Sequence, residues 1–547
     1  MMDMDNDGQR RLRRNWTCHF IFIGVVWAQP LPASAFADES SGAERAAGAV
    51  SAAIDALFEK AWAAAEVTPS EIAGDDEFLR RVYLDLAGRI PGVSEIRDFR
   101  DSTSTEKRQE IVRELLDSPA YVRNMTTVLR NALIPQASSQ PEFRGVIPGF
   151  EAWLWKRVSE NVSYDKIARE IITTDLNNSR GNALSSTTSP DAFFVVRELK
   201  PENLAAGTAR AFLGVRLDCA QCHNHPFDSW SQKQFWSLAA FYGGFAAAGS
   251  ADGDVPVGAA MEERTDVRSI AIPGTGDVVP AMYLNGVEPD WSKDGSGPRQ
   301  RLAEWVVAKD NPYFADMAVN RMWAQFFGRG LVDPVDDFSV NNPASHPAVL
   351  QLLAEDFAAN DFDLQRLVRI ITGTRVYQRS SRQTHESQRE PADFARAALR
   401  GLTPEQLFDS LAEATGYYQP YRSENPFVID TNSPRGRFLD QFRDSAESPL
   451  DRETTILQAL TMMNGRFVDE ATSLEESRTL RSILEFPAMP TEQKVETLFL
   501  ASVSRSPTAE EQTRLHALLD EDSDSSAEIL SDIFWALLNS SEFLLNH

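Results

Sequence analysis

The segment from Arg268 to Leu284 reads RSIAIPGTGDVVPAMYL. Two short runs rich in apolar and β-branched residues, Arg268–Pro273 and Val278–Leu284, flank the turn-forming residues Gly274–Asp277. This pattern predicts a β-hairpin. The hairpin lies in a segment rich in Gly, Pro and Asp, 246–298, which differs from the sequence around it. We therefore interpret 246–298 as a connector with short strands between two helical halves.

Helical patterning dominates on both sides of this connector. Stretches rich in Ala, Glu and Leu cover residues 44–66, 76–88, 105–117, 148–172, 200–214 and 232–242 before it, and 300–326, 347–372, 390–416, 450–480, 491–502, 508–520 and 526–545 after it. Capping signals support these helices, as at Thr403, which is followed by Pro404 at the first helical position. A polar loop is expected at 417–449.

The predicted fold class is mainly α, with two helical domains joined by a Gly/Pro-rich connector that carries a small β-hairpin. The N-terminal helical domain spans 44–245, the connector spans 246–298, and the C-terminal helical domain spans 299–547. A chain of 547 residues is too long for a single hydrophobic core, so we expect at least two domains.

Residues 1–37 have the features of a signal peptide. Four arginines precede an apolar run from Trp16 to Ala28, and Ala35–Ala37 offers a cleavage site. The apolar run of about a dozen residues is too short for a comfortable bilayer span, and no later segment is apolar enough. The sequence predicts export to the periplasm or cell surface, with no membrane span after cleavage. An uncleaved anchor is the alternative, and both Sec and twin-arginine export stay open.

The formal net charge is −26. Such an acidic surface repels the phosphates of nucleic acids and of anionic membranes, so neither is an expected partner. Solubility alone accounts for the charge. Three of the acidic residues, Asp333, Asp336 and Asp337, form either a calcium site or a solvated, helix-capping loop.

One motif carries clear chemistry, Cys219–His223, which reads CAQCH. Cys-x-x-Cys-His is the attachment sequence of c-type haem. Two thiols three residues apart on a helical turn reach both vinyl groups of one porphyrin, and the next histidine can bind the iron. Cys219, Cys222 and His223 are therefore the candidate haem c residues. The remaining cysteine, Cys18, lies in the predicted signal peptide.

Three other interpretations of the cysteine pair are open. The cluster supplies enough donors for zinc or iron, with His223 or His225 as metal ligands beside the cysteines, and with Asp228 nearby. Adjacent Cys222 and His223 cannot easily bind one tetrahedral ion, so Cys219, Cys222 and His225 are the better set. Alternatively, the cysteines close a local disulfide in a structural or interaction protein. A thioredoxin-like redox pair requires βαβ flanks, whereas these flanks are helical in pattern.

A porphyrin needs an apolar wall, and many apolar residues flank the motif. They are Phe212, Leu213, Val215, Phe227, Trp230, Phe235, Trp236, Phe241 and Tyr242, although aromatics at helical spacing also make ordinary core. Candidate sixth iron ligands are His346, Met322, Met462 and Met463. An open sixth position permits redox catalysis and a filled one favours electron transfer, so the sequence does not decide whether the protein is an enzyme.

Longer motifs resemble a two-domain family that is abundant in planctomycetes. Its first domain is matched by Arg80–Pro91 (RRVYLDLAGRIP), Leu115–Tyr121 (LLDSPAY) and Phe212–Phe227 (FLGVRLDCAQCHNHPF). Its second is matched by Val319–Trp323 (VNRMW), Phe327–Val332 (FGRGLV), Ser345–Pro347 (SHP), Leu457–Leu460 (LQAL) and Ala536–Phe543 (ALLNSSEF). One departure follows Tyr121, where the family commonly has a Trp and this chain has Met125–Arg130.

The family consists of two consecutive domains of unknown function, the first described as cytochrome-like. The resemblance implies export and a two-domain helical architecture. The cytochrome description rests on the same Cys-x-x-Cys-His motif, so it adds no independent support for haem. The family motif also extends through His225, Pro226 and Phe227, which haem attachment does not require. From the sequence we expect an exported c-type haem protein that transfers electrons to or from an unknown redox partner.

Overall fold

The computed structural model describes residues 33–176, 188–247, 261–292, 296–418, 433–442, 462–463, 465–486, 489–521 and 525–547. The chain divides into two units, residues 1–46 and 47–547. In the first unit, residues 33–46 are described and are helical. Residues 1–32 of the predicted signal peptide lie outside the described residues, and only its last five residues, 33–37, are described. Among the described helices, none has both the length and the apolar character needed to cross a membrane.

The described elements are mainly helices, as predicted. Before the connector they are α1 (Ala33–Ala64), α2 (Asp75–Leu86), α3 (Val93–Asp101), α4 (Lys107–Leu116), α5 (Pro119–Leu133), α6 (Pro135–Ser139), α7 (Ile147–Ser159), α8 (Tyr164–Thr173), α9 (Ala192–Val195), α10 (Pro201–Thr208) and α11 (Gln232–Ala239). After it they are α12 (Pro298–Val306), α13 (Phe314–Phe327), α14 (Pro347–Ala359), α15 (Leu364–Gly373), α16 (Pro404–Thr415), α17 (Pro434–Gln441), α18 (Arg466–Thr472), α19 (Arg478–Glu485), α20 (Thr491–Val503), α21 (Ala509–Glu521), α22 (Ser526–Leu538) and α23 (Ser541–Leu544).

The predicted hairpin is present in the connector. Strands β3 (Ser269–Ala271) and β4 (Val278–Pro280) pair antiparallel, with Ile270 opposite Val279. Gly274 and Gly276 have φ values of +76° and +78°, which glycine adopts readily. The other short strands are β1 (Phe245–Ala247), β2 (Met261–Glu263), β5 (Arg400–Gly401) and β6 (Leu545–Asn546), which pair as β1–β2 and β5–β6.

Several predicted helix boundaries are wrong. The stretch 347–372 is two helices, because Asp361 and Phe362 take positive φ values of 54° and 55° that end α14 and turn the chain into α15. Helices α3 and α5 were not predicted. The predicted loop 417–449 contains α17, whose first turn is capped by the Ser433 hydroxyl.

Two apolar clusters form the interior of residues 47–547 in the part of this range that the structure describes. The larger contains buried side chains from Ala47 to Ala395, on both sides of the connector, together with Leu500. The smaller contains side chains from Leu407 to Phe543 together with Leu84 and Ile90. The two helical halves therefore share one compact unit, since each cluster draws residues from both. The domain boundaries at 245 and 299 stay a prediction.

The motif Arg80–Pro91 lies in this interior. Arg80 donates hydrogen bonds to the carbonyl oxygens of Ser502, 3.1 Å away, and Phe543, 2.9 Å away. Asp85 is fully buried and accepts from Arg400 and from the Tyr377 hydroxyl. A buried polar side chain must be partnered, and these partners all come from the C-terminal half. The motif therefore joins the two halves and is not a surface site.

Candidate functional site

The Cys219–His223 motif lies on the surface. A short 3₁₀ helix, Asp218–Gln221, carries Cys219. Cys222 is the C-cap residue that follows this helix. Both cysteines are free and exposed, and the His223 side chain is exposed as well. The candidate haem residues are therefore adjacent on one turn that reagents and cofactors can reach, and no disulfide joins the two thiols.

The chain reaches this turn through a tight bend at Gly214. Helix α10 continues into one π-helical turn, Ala209–Leu213, and Gly214 then takes a left-handed φ of +67°. A Cβ atom there would lie 2.6 Å from the Phe338 ring and 2.9 Å from the Met317 sulfur. Only glycine meets both constraints, so Gly214 fixes the direction in which the chain enters the motif.

Helix α11 holds the motif from the other side. The Gln232 amide donates to the carbonyl oxygens of Gln221, 3.2 Å away, and Cys222, 3.0 Å away. The indole nitrogen of Trp236 donates to the same Gln221 oxygen at 2.9 Å. These bonds satisfy carbonyl groups that the short 3₁₀ helix leaves without intrahelical partners. Sequence reasoning missed Gln232, whose side chain is not of a type that signals a cofactor site. It placed Trp236 in the apolar wall and did not predict this hydrogen bond.

The C-terminal half also supports the motif. Asp336 pairs with Arg216 at 2.6 Å, and the Phe338 amide donates to the Gly214 carbonyl at 2.8 Å. Further along the same loop, the Asn341 side chain donates to the Phe227 carbonyl oxygen at 2.6 Å. The site is thus assembled from both halves of the chain.

His223 is oriented by its neighbour. Its Nδ1 lies 2.7 Å from the carbonyl oxygen of Asn224. A carbonyl oxygen only accepts, so Nδ1 carries the proton and donates. In the neutral imidazole Nε2 then has a free lone pair, which is the form in which histidine binds a metal.

His225 has the opposite arrangement. Its Nδ1 accepts a hydrogen bond from the backbone N–H of Phe227 at 3.3 Å, and its own backbone N–H donates to the Trp230 carbonyl at 2.7 Å. A backbone N–H only donates, so the Nε2 of neutral His225 carries the proton. This ring closes a turn and is not prepared to coordinate a metal through Nε2.

The three-residue metal set is not assembled. Within the residues that the structure describes, no three His, Cys, Asp or Glu side chains come together in a way that could hold a metal ion. Asp228 accepts from the backbone N–H of Ser229 at 2.6 Å, as in a local turn. Asp336 is one of the three candidate calcium ligands, and its carboxylate forms ion pairs with both Arg216 and Arg210.

Most members of the predicted apolar wall belong to the core, which is the alternative that the sequence left open for them. The following residues are buried in the larger core cluster: Phe212, Leu213, Val215, Phe235, Trp236, Phe241 and Tyr242. Their aromatic pattern reflects ordinary packing of α10 and α11. Phe227 is the exception, since 80% of it is exposed, while Trp230 is half-buried.

The candidate sixth ligands lie in varied surroundings. Met322 and Met462 are buried, one in each core cluster, and Met463 is exposed. The His346 ring packs on Phe58, with centroids 4.4 Å apart, and burial lowers the pKa of His346 to about 4. These contacts explain His346 as part of an aromatic cluster, and nothing in them assigns it to iron.

Fold and site together define a mainly helical protein that displays a Cys-x-x-Cys-His turn braced by both halves of its chain. Residues 53–246 match the family model PSCyt2, described as a protein of unknown function (DUF1549). Residues 298–436 and 436–519 match PSD1, described as a protein of unknown function (DUF1553). The chain therefore belongs to the family in which these two domains follow one another. No curated protein and no solved structure matches it.

Proposed function

We propose that this protein is an exported c-type haem protein that transfers electrons at the periplasm or cell surface. Cys219 and Cys222 would hold the haem through thioether bonds, and the Nε2 of His223 would bind its iron. A haem so bound supplies one-electron redox chemistry, and the expected partner is another redox protein.

The observation that carries this proposal is the hydrogen bond from His223 Nδ1 to the Asn224 carbonyl. In the neutral ring it leaves the lone pair of Nε2 free, and it does so close to two free, exposed thiols. Histidine ligands usually donate their second ring nitrogen to a carbonyl or carboxylate, which fixes the ring and raises its basicity. The donor set therefore fits haem attachment in both chemistry and protonation.

The same reasoning weighs against zinc or iron bound by Cys219, Cys222 and His225. To bind through Nε2, His225 would have to move its proton to Nδ1, where it would face the Phe227 N–H. Two donors pointing at each other lose a hydrogen bond and add repulsion. The His225 extension of the motif is explained instead by the turn that this residue closes.

The test is the intact mass of the full chain, produced with its own leader in a host that attaches c-type haem. We expect the mass of one haem on the wild-type chain and none on the double variant Cys219→Ser/Cys222→Ser. Protein made in the same host without the attachment machinery is the control. A wild-type chain without the haem mass, with one zinc per chain by elemental analysis, would support the alternative instead.

A further inference from the structure

Two apolar side chains, Phe227 just after the motif and Val340 on a loop hydrogen-bonded to Phe227, are unusually exposed. Val340 is 86% exposed and Phe227 is 80% exposed, and the next most exposed large apolar residue of the described chain, Val278, is at 65%. Single exposed apolar residues are common and need no explanation. These two, however, belong to loops that a hydrogen bond joins, from Asn341, the neighbour of Val340, to the Phe227 carbonyl at 2.6 Å.

Both side chains are held outward by ordered turns. Phe227 lies within the turn that His225 and Trp230 close through a 2.7 Å backbone hydrogen bond. Val340 lies within a second turn, where the Asn342 N–H donates to the Ser339 carbonyl at 3.1 Å. Turn positions are usually occupied by polar residues or glycine. Two apolar residues at two joined turns therefore indicate a surface that something covers.

The size of this surface limits what can cover it. A stable protein–protein interface buries roughly 800 Å² on each partner, or some 20 to 30 residues. Two side chains are far too few for that, but they suit one edge or face of a flat, apolar cofactor. Phe227 is also four residues from His223. The chain therefore keeps the Cα atoms of these two residues within about 14 Å of each other.

We infer that Phe227 and Val340 form the apolar surface against which the haem held by Cys219, Cys222 and His223 packs. This inference rests on the proposed function and deepens it. It replaces the wall of buried aromatics with one side chain from each half of the chain. Haem packing would then depend on the loop 339–342 of the second domain, which explains why the cysteine motif is followed by Phe227 and braced by Asn341.

The experiment compares two double variants of the haem-loaded full chain. Phe227→Ala/Val340→Ala removes the proposed surface. Phe486→Ala/Val278→Ala is the matched control, because it also removes one exposed Phe (58%) and one exposed Val (65%). For each we measure the haem-to-chain ratio, the Soret maximum, the reduction potential and the Tm of loaded and haem-free protein. None of the four residues is a haem ligand.

We expect the first variant to lower the reduction potential, because water around the haem favours the more highly charged oxidised form. The Tm gained on loading should also shrink, whereas the Tm of the haem-free protein should not fall. The control should match the wild type in every reading.

A loaded Phe227→Ala/Val340→Ala protein with the wild-type spectrum, potential and Tm gain would overturn the inference and leave the proposed function standing. A wild-type chain that carries no haem would overturn both. If the haem-free wild type dimerises and the first variant does not, a second copy covers the surface and the inference is wrong.

Discussion

The carboxylate of Asp85 lies 2.9 Å from the guanidinium of Arg400, in an ion pair that is almost completely buried. Asp85 is on α2 in the first half of the chain, and Arg400 is in β5, which pairs with the C-terminal strand β6. The Tyr377 hydroxyl and the Asn546 amide each donate to Asp85 at 2.8 Å. One carboxylate therefore joins the first half of the chain to three separate segments of the second half.

Removing the charge of Asp85 should lower the free energy of unfolding of the protein. Asp85→Asn leaves Arg400 buried without a counter-charge, and breaking a buried pair on one side typically costs roughly 3 to 5 kcal/mol. We expect a loss of that size in the free energy of unfolding from urea titration. Asp277→Asn is the control, because the Asp277–Lys233 pair is exposed at 3.7 Å, and exposed pairs contribute at most about 1 kcal/mol. Equal losses in both variants would contradict this role.

His346 should make stability depend on pH in a mildly acidic range. Burial lowers its pKa from 6.5 to about 4 in the folded protein. Between these values the unfolded chain binds a proton that the folded chain does not, so stability falls as the pH drops from 6.5 towards 4.

His346→Phe keeps a ring against Phe58 but cannot be protonated. From pH 7 to pH 4.5, the wild type should lose about 1 to 2 kcal/mol more free energy of unfolding than this variant. This is less than the full pKa shift of His346 implies, because the ring is partly solvated. Urea titrations at both pH values measure the difference. Parallel losses in the two proteins would show that His346 is not responsible.

Gly214 should tolerate alanine worse than Gly274, another left-handed glycine. Gly214→Ala combines an unfavourable φ with contacts of 2.6 Å and 2.9 Å to Phe338 and Met317. Gly274→Ala has a similar φ of +76° but meets nothing within 4 Å, so it isolates the conformational cost. We expect about 1 to 2 kcal/mol for Gly274→Ala and at least about 1 kcal/mol more for Gly214→Ala, where overpacking adds to it. Indistinguishable unfolding curves for the two variants would refute the close approach.

The two histidines of the motif should behave differently. His223→Ala should change the Soret position and spin state of the loaded protein, because it removes the proposed iron ligand. His225→Asn should leave the spectrum unchanged, since an Asn side chain can accept the same hydrogen bond from a backbone N–H two residues on. A spectral change with His225→Asn as large as that with His223→Ala would make His225 a ligand.

The features that sequence predicted well are local ones. The hairpin 268–284 depends on two glycines and the runs beside them. The start of α16 depends on Thr403, the predicted cap residue, whose side chain accepts a hydrogen bond from the backbone N–H of Gln406. In each case neighbouring residues supply both the pattern and the interaction that stabilises it.

The features that sequence missed depend on contacts between distant residues. The Asn341–Phe227 hydrogen bond joins positions 114 apart, and Asp85 meets Arg400 across 315. For the aromatic residues around the motif the sequence left haem wall and ordinary core both open, because a core helix and a cofactor wall need the same side chains. The tautomer of neutral His223 depends on one carbonyl oxygen, whose direction no spacing rule gives.

Covalent haem attachment is tested most directly by an absorption spectrum. The full chain is matured in a host that attaches c-type haem and is purified under denaturing conditions. Covalently held haem stays with the chain when the fold is lost. We predict a Soret band at one haem per chain in the wild type, and a reversible change on reduction and reoxidation in the native protein. A wild-type chain without a Soret band after this treatment would contradict covalent haem attachment at Cys219 and Cys222.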